Sequence, residues 1–211
     1  GEEPAAHDAK ALGEGPRAQL LAFVREPLYR YHGLFFSNVP GVPLGLARAA
    51  LDALVEIAGP KGRREVAIRI NGLDTPWAMA DITAAAAAAP DAVVIPKVQS
   101  AAEVDRVTDA LRRAGAPERT RIWAMIETPL AILRLDEIAG AARHAGAKLD
   151  CLILGLNDLV KETRAELDQN RTAALAWLSL SVAAARAYGL DVLGAAYNNF
   201  RDADGFGTEC R

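Results

Sequence analysis

Short apolar blocks alternate along the chain with longer stretches in which apolar residues recur every three or four positions. The blocks begin at Glu65 (Glu-Val-Ala-Ile-Arg-Ile), Ala92 (Ala-Val-Val-Ile-Pro-Lys), Arg121 (Arg-Ile-Trp-Ala-Met-Ile), Cys151 (Cys-Leu-Ile-Leu) and Asp191 (Asp-Val-Leu-Gly-Ala-Ala-Tyr), with starts 27, 29, 30 and 40 residues apart. Runs that are apolar on both parities read as strands covered on both faces. The spacing is that of one strand plus one return helix. The helical stretches carry their own punctuation. Ser100 and Glu103 make a capping box, Gly115 and Pro117 stop that helix, Pro129 sits at a first-turn position, and Gly189 closes a helix running from about Arg171. Upstream, Gly33 to Val39 reads as a further strand. Pro40, Gly41 and Pro43 then supply a turn, and Leu44 to Ala58 reads as a helix ended by Gly59-Pro60. Residues 1–30 form a poorly defined N-terminal segment, with helical composition over Ala9 to Glu26 broken by Gly13, Gly15 and Pro16.

Strand and helix in strict alternation imply a parallel sheet. No strand leads into the Gly-x-Gly-x-x-Gly turn of a doubly wound nucleotide fold, and the Gly13 to Gly15 pair has no strand before it. Polar residues fall instead at one strand end after another: Arg69 and Asn71, Lys97, Glu127, Asp158, Asn198. In a barrel these ends share one mouth, where chemistry sits. The expected fold is therefore α/β, a TIM (β/α)8-type barrel, and 1–211 is taken as a single, partial barrel domain with about six of the eight strands readable.

Composition narrows the function. With 211 residues, 51% of them hydrophobic, the chain can bury one sizeable core. Its formal net charge of −3 and lack of any basic run argue against nucleic acid. The longest apolar tract, Ala84 to Ala89, is far too short for a membrane span and reads as a helix end. The acidic start lacks the grammar of a signal peptide, and two cysteines are too few for a disulfide framework. A cytoplasmic protein acting on a small molecule is the expectation.

Glu127 and Asp158 each follow an apolar strand and are hard oxygen donors, a plausible pair for a divalent cation. Each has a competing structural reading. Asp158 could cap the helix that follows it, whereas Glu-Thr-Pro is poor capping chemistry and leaves Glu127 harder to explain by structure. Arg69 interrupts an apolar strand, so it must meet either an ion-pair partner or a polar pocket. Lys97 could be no more than a solvated strand end. His7, His32 and His144 read as surface residues, and Trp77, Trp123 and Trp177 as core. No base lies near Cys210 to make it a nucleophile.

Five segments carry a resemblance: Arg-Ile-Asn-Gly-Leu-Asp-Thr-Pro-Trp (69–77), Ile-Pro-Lys-Val (95–98), Ile-Trp-Ala-Met-Ile-Glu-Thr-Pro (122–129), Leu-Gly-Leu-Asn-Asp-Leu (154–159) and Tyr-Asn-Asn-Phe-Arg-Asp (197–202). In order and spacing they resemble the citrate lyase beta-subunit branch of the HpcH/HpaI aldolase family. The resemblance implies a barrel that binds Mg²⁺ and makes or breaks a carbon–carbon bond beside a carbonyl, on a (3S)-citryl-CoA or malyl-CoA-like thioester. It implies Glu127 and Asp158 as metal ligands and Arg69 as the holder of a substrate carboxylate or keto oxygen. Asn71, Lys97 and Asn157 are implied at the same mouth as substrate contacts. It also implies self-association into a homo-oligomer. Two departures are visible. The stretch Leu34 to Pro40 has no acid where the family carries Leu-Glu-Asp-Ala, and the sequence stops within the helix after the Asp191 strand. A metal-dependent 2-keto acid aldolase and a ligand-binding barrel without turnover therefore stay open beside the lyase.

Overall fold

The computed structural model describes residues 66–209, apart from 169, 195 and 200. The segment 1–30, the Gly33–Val39 strand and the Leu44–Ala58 helix lie outside the described residues. Five strands form one parallel sheet: β1 (Ala67–Arg69), β2 (Ala92–Ile95), β3 (Arg121–Ile126), β4 (Leu149–Leu154) and β5 (Asp191–Leu193). Their order in the sheet is their order in the chain, each pairing with the next in parallel register. Between them run helices α1 (Ala78–Ala88), α2 (Ala101–Arg113), α3 (Pro129–Leu133), α4 (Leu135–Gly140), α5 (Leu156–Thr163) and α6 (Leu175–Tyr188), with α7 (Ala203–Glu209) after β5.

A sequentially ordered sheet differs from a doubly wound one, whose strand order reverses at a switch point. The two faces of this sheet differ as those of a barrel-type sheet do. Val93, Ile95, Ile122, Ala124, Ile126 and Leu152 pack with Ile82, Val104, Val107, Leu111 and Ile138 of the helices in one large core. The alternate residues Ala67, Ala92, Val94, Trp123, Cys151 and Ile153, with Met125 and Leu193, form a second cluster made of strand residues alone. Period-two alternation puts these on the opposite face, which packs no helix residue among the described residues and is the inner face in a barrel. The two-parity apolar runs follow from this, since both faces are covered.

Local sequence explains the element ends. Ser100 Oγ accepts a hydrogen bond from the Glu103 amide at 3.3 Å, as a capping box requires. The Glu103 carboxylate returns to the Gln99 amide at 2.6 Å, one residue earlier than the motif predicts. Gly189, at φ 72°, takes the left-handed turn that ends α6. The helical stretch opened by Pro129 breaks at Arg134 into α3 and α4. Two expectations need correction. Trp77 is 45% exposed rather than core, because it precedes α1 on the surface, while Trp123 is buried and Trp177 half-buried. The Glu-Thr-Pro ending does cap a helix: Thr128 Oγ1 accepts from the Ala131 amide at 3.1 Å, with Pro129 at the first turn.

Candidate active site

Thr128 capping α3 leaves Glu127 without a capping role. Glu127 continues the parity of Trp123 and Met125, so its side chain extends the inner face one step beyond β3. It is 2% exposed. Ile126 of β3 pairs with Leu154 of β4, which sets the residue after β4, Gly155, beside Glu127. A Cβ at Gly155 would run into the Glu127 Cβ and stand 2.6 Å from Oε2. Only glycine admits the carboxylate there.

Oε1 of the same carboxylate accepts the Lys97 backbone N–H at 2.8 Å. Lys97 holds φ at 51°, in the left-handed region that a lysine enters at a cost of about 1–2 kcal/mol. That backbone turn aims its amide at Glu127. Its ammonium points elsewhere, 3.6 Å from Glu162 of α5. Burial pushes the Glu127 carboxyl above the ordinary range. The Lys97 amide opposes that rise, the charge of Asp158 adds to it, and the charges of Arg69 and Lys97 lower it.

Asp158 lies half-buried in the first turn of α5, whose N-cap is Gly155 with no side-chain cap bond. Asp158 is therefore not the capping residue. Its carboxylate stands where the helix dipole favours negative charge. Arg69, the last residue of β1, shares the inner-face parity of Ala67. The structure thus brings Glu127, Asp158, Arg69 and Lys97 into one electrostatic neighbourhood.

The other two candidates bond outside that group. Asn71 gives its backbone N–H and its side-chain Nδ2 to Oδ2 of Asp81, at 2.9 and 2.7 Å. Asn157 and Asn198 exchange side-chain hydrogen bonds at 3.1 and 2.9 Å, fastening the segment after β5 to the start of α5. Sequence reasoning missed Asp81, Glu162 and the role of Gly155. Each acts through a contact that no spacing announces.

The donor chemistry fits a magnesium-type cation. Gly155 makes room for one buried carboxylate, and a second acts on it at close enough range to raise it. Among the described residues no set of three or more His, Cys, Asp or Glu gathers as a metal site. A magnesium-type ion does not need one, because it takes one or two carboxylates and completes its octahedron with water and ligand oxygens.

A parallel sheet in sequential order, with two acids at adjacent carboxyl ends, defines an α/β protein of the barrel type. Residues 45–211 match the HpcH/HpaI aldolase/citrate lyase family, and the chain belongs to it. It is 40% identical over 164 residues to a (3S)-malyl-CoA thioesterase of Cereibacter sphaeroides, covering 78% of this chain and 53% of that protein. It is 33% identical over 147 residues to citrate lyase subunit beta of Escherichia coli, covering 67% and 47%. The chain therefore spans about half the length of these curated relatives. Among solved structures, protein CitE of Mycobacterium tuberculosis in complex with magnesium, acetoacetate and coenzyme A superposes with a TM-score of 0.62 at 25% identity, covering 83% of this chain and 61% of that one. Among the described residues no helix is long and apolar enough to cross a membrane.

Proposed function

We propose that this chain carries the metal-binding part of a lyase that breaks the carbon–carbon bond of a hydroxy-dicarboxylic acyl-CoA of the malyl-CoA or citryl-CoA kind. The observation that carries this reading is Glu127: buried, seated against a glycine, tethered by a backbone amide and pressed by a second carboxylate. A buried acid costs stability unless something repays it, and a divalent cation is the natural partner. Glu127 and Asp158 would hold the ion, which when bound supplies Lewis-acid polarisation of a substrate carbonyl. Arg69, on the inner face, presents a permanent cation to the substrate's carboxylate and to negative charge building up on oxygen. Lys97 keeps its half-exposed ammonium at the rim, beside Glu162, where it would also meet an anionic group of the substrate. The buried surroundings of Glu127 keep water from competing for its carboxylate.

A second reading, thioester hydrolysis, is favoured by the higher identity to the malyl-CoA thioesterases. Both readings share a substrate and differ in the bond broken. Incubating the protein with Mg²⁺ and (3S)-malyl-CoA and separating the products decides between them: acetyl-CoA plus glyoxylate for the lyase, malate plus free CoA for the hydrolase. Calorimetric titration of Mg²⁺ in the presence of oxaloacetate or pyruvate tests the site itself. Glu127→Gln is expected to weaken binding by about 100-fold or more and Asp158→Asn by roughly 10- to 100-fold. Unchanged affinity in both variants would remove the site.

A further inference from the structure

The Asn71–Asp81 pair fixes which end of the Asn71 amide the carboxylate holds. Asn71 lies just past β1, whose ladder continues through the Ile70 N–H to the Val94 carbonyl at 3.1 Å. Asp81 lies in the first turn of α1, its own amide bonded to the Trp77 carbonyl at 2.9 Å. Both side chains are half-buried. One carboxylate oxygen, Oδ2, takes the Asn71 backbone N–H at 2.9 Å and the side-chain Nδ2 at 2.7 Å. An ionised carboxylate accepts hydrogen bonds and cannot donate them. The amide of Asn71 must therefore turn its NH₂ toward Asp81, and rotation by half a turn would set oxygen against oxygen.

Resting on the reading proposed above, we propose that Asp81 is a positioning residue that locks Asn71 as a hydrogen-bond acceptor, and that the Asn71 Oδ1 so presented recognises the hydroxyl of a hydroxyacyl-CoA. An acceptor has nothing to offer a carboxylate or a keto oxygen, which carry no hydrogen. A hydroxyl supplies the missing donor. The pair thus reads whether the acyl chain bears a hydroxyl, while Arg69 reads its carboxylate.

Succinyl-CoA is malyl-CoA without that hydroxyl, so comparing the two thioesters across variants separates the Asn71 contact from the hydroxyl's other contacts. In the wild type, with Mg²⁺, the inhibition constant of succinyl-CoA should exceed the KM of malyl-CoA by roughly tenfold, the worth of one hydrogen bond. Asp81→Ala should raise the KM for malyl-CoA by about that factor, leave succinyl-CoA inhibition unchanged, and lower kcat less than it raises KM. Asn71→Ala should do the same. Asp81→Asn can still turn an oxygen toward both donors, and should keep the wild-type ratio. The proposal is overturned if Asp81→Ala weakens both thioesters equally, which marks general damage. It is also overturned if the ratio does not move, which marks an acceptor used for water or structure. If the wild type turns over neither malyl-CoA nor citryl-CoA, the functional reading itself falls, a result distinct from an unmoved ratio in an active enzyme.

Discussion

Glu127 concentrates the electrostatics of this protein in one side chain. Its carboxyl is raised chiefly by burial, so the folded chain holds that proton more tightly than the unfolded chain does. Stability of the cation-free protein should therefore fall as pH rises from the ordinary glutamate value, about 4.3, through the raised folded value. Below that window the contribution is fully present. Cation binding runs the other way, because the ion needs the carboxylate form. Magnesium affinity should strengthen over the same window, and Glu127→Gln should flatten both dependences while leaving the cation-free melting temperature near neutral pH unchanged or higher. Chemical denaturation and calorimetry across pH, with and without Mg²⁺, check this. At this scale the sequence was informative about position only. Glu127 and Asp158 stand out because a charged residue ends an apolar run, but nothing in the spacing shows that Thr128 takes the cap or that Asp81 grips Asn71.

At the scale of elements, the junction of β4 and α5 governs the site. Gly155 ends the strand's inner row, caps the helix and clears the space for the neighbouring acid. Gly155→Ala should push the Glu127 carboxylate aside, reducing magnesium affinity by roughly 10- to 100-fold and stability by about 1–3 kcal/mol. Titration and urea unfolding of the same variant separate the two losses. All five strands were legible as apolar blocks, most plainly β2, β3 and β4, where burial on both faces leaves no polar alternation to blur them. Their limits were less so. Among the described residues β1 covers Ala67–Arg69, and β4 starts at Leu149, before Cys151. Pairing with neighbouring strands decides these ends, and pairing is non-local. Trp77 was misplaced for a similar reason, since aromatic size argues for burial while its place ahead of α1 leaves it at the surface.

Across the whole molecule the two edges of the sheet hold different kinds of polar group. The carboxyl edge carries Glu127, Asp158, Arg69 and Lys97. The amino edge is tied by Lys148, 3% exposed as a side chain, whose ammonium reaches the carbonyls of Glu118 at 3.1 Å and Thr120 at 3.4 Å and the exposed Glu118 carboxylate at 3.4 Å. Thr120 adds a bond from its hydroxyl to the Pro90 carbonyl at 2.8 Å. Lys148→Met should leave those carbonyls without a donor and cost about 1–3 kcal/mol, read as a lower melting temperature. Magnesium affinity should stay at the wild-type value, because the substitution lies at the far end of β4 from Gly155. This division was only half legible: the polar residues after the strands stood out, while nothing in the sequence marks the lysine just ahead of β4 as buried.

Lys97 gives its main chain to the buried acid and its side chain to the rim, so the two duties are chemically independent. An amide is common to every residue but proline, whereas the group projecting from the α-carbon is open to change. Evolution, or a directed library at this one codon, can therefore swap the outward-facing group to meet a different partner at the rim without disturbing the anchoring of the carboxylate beneath it.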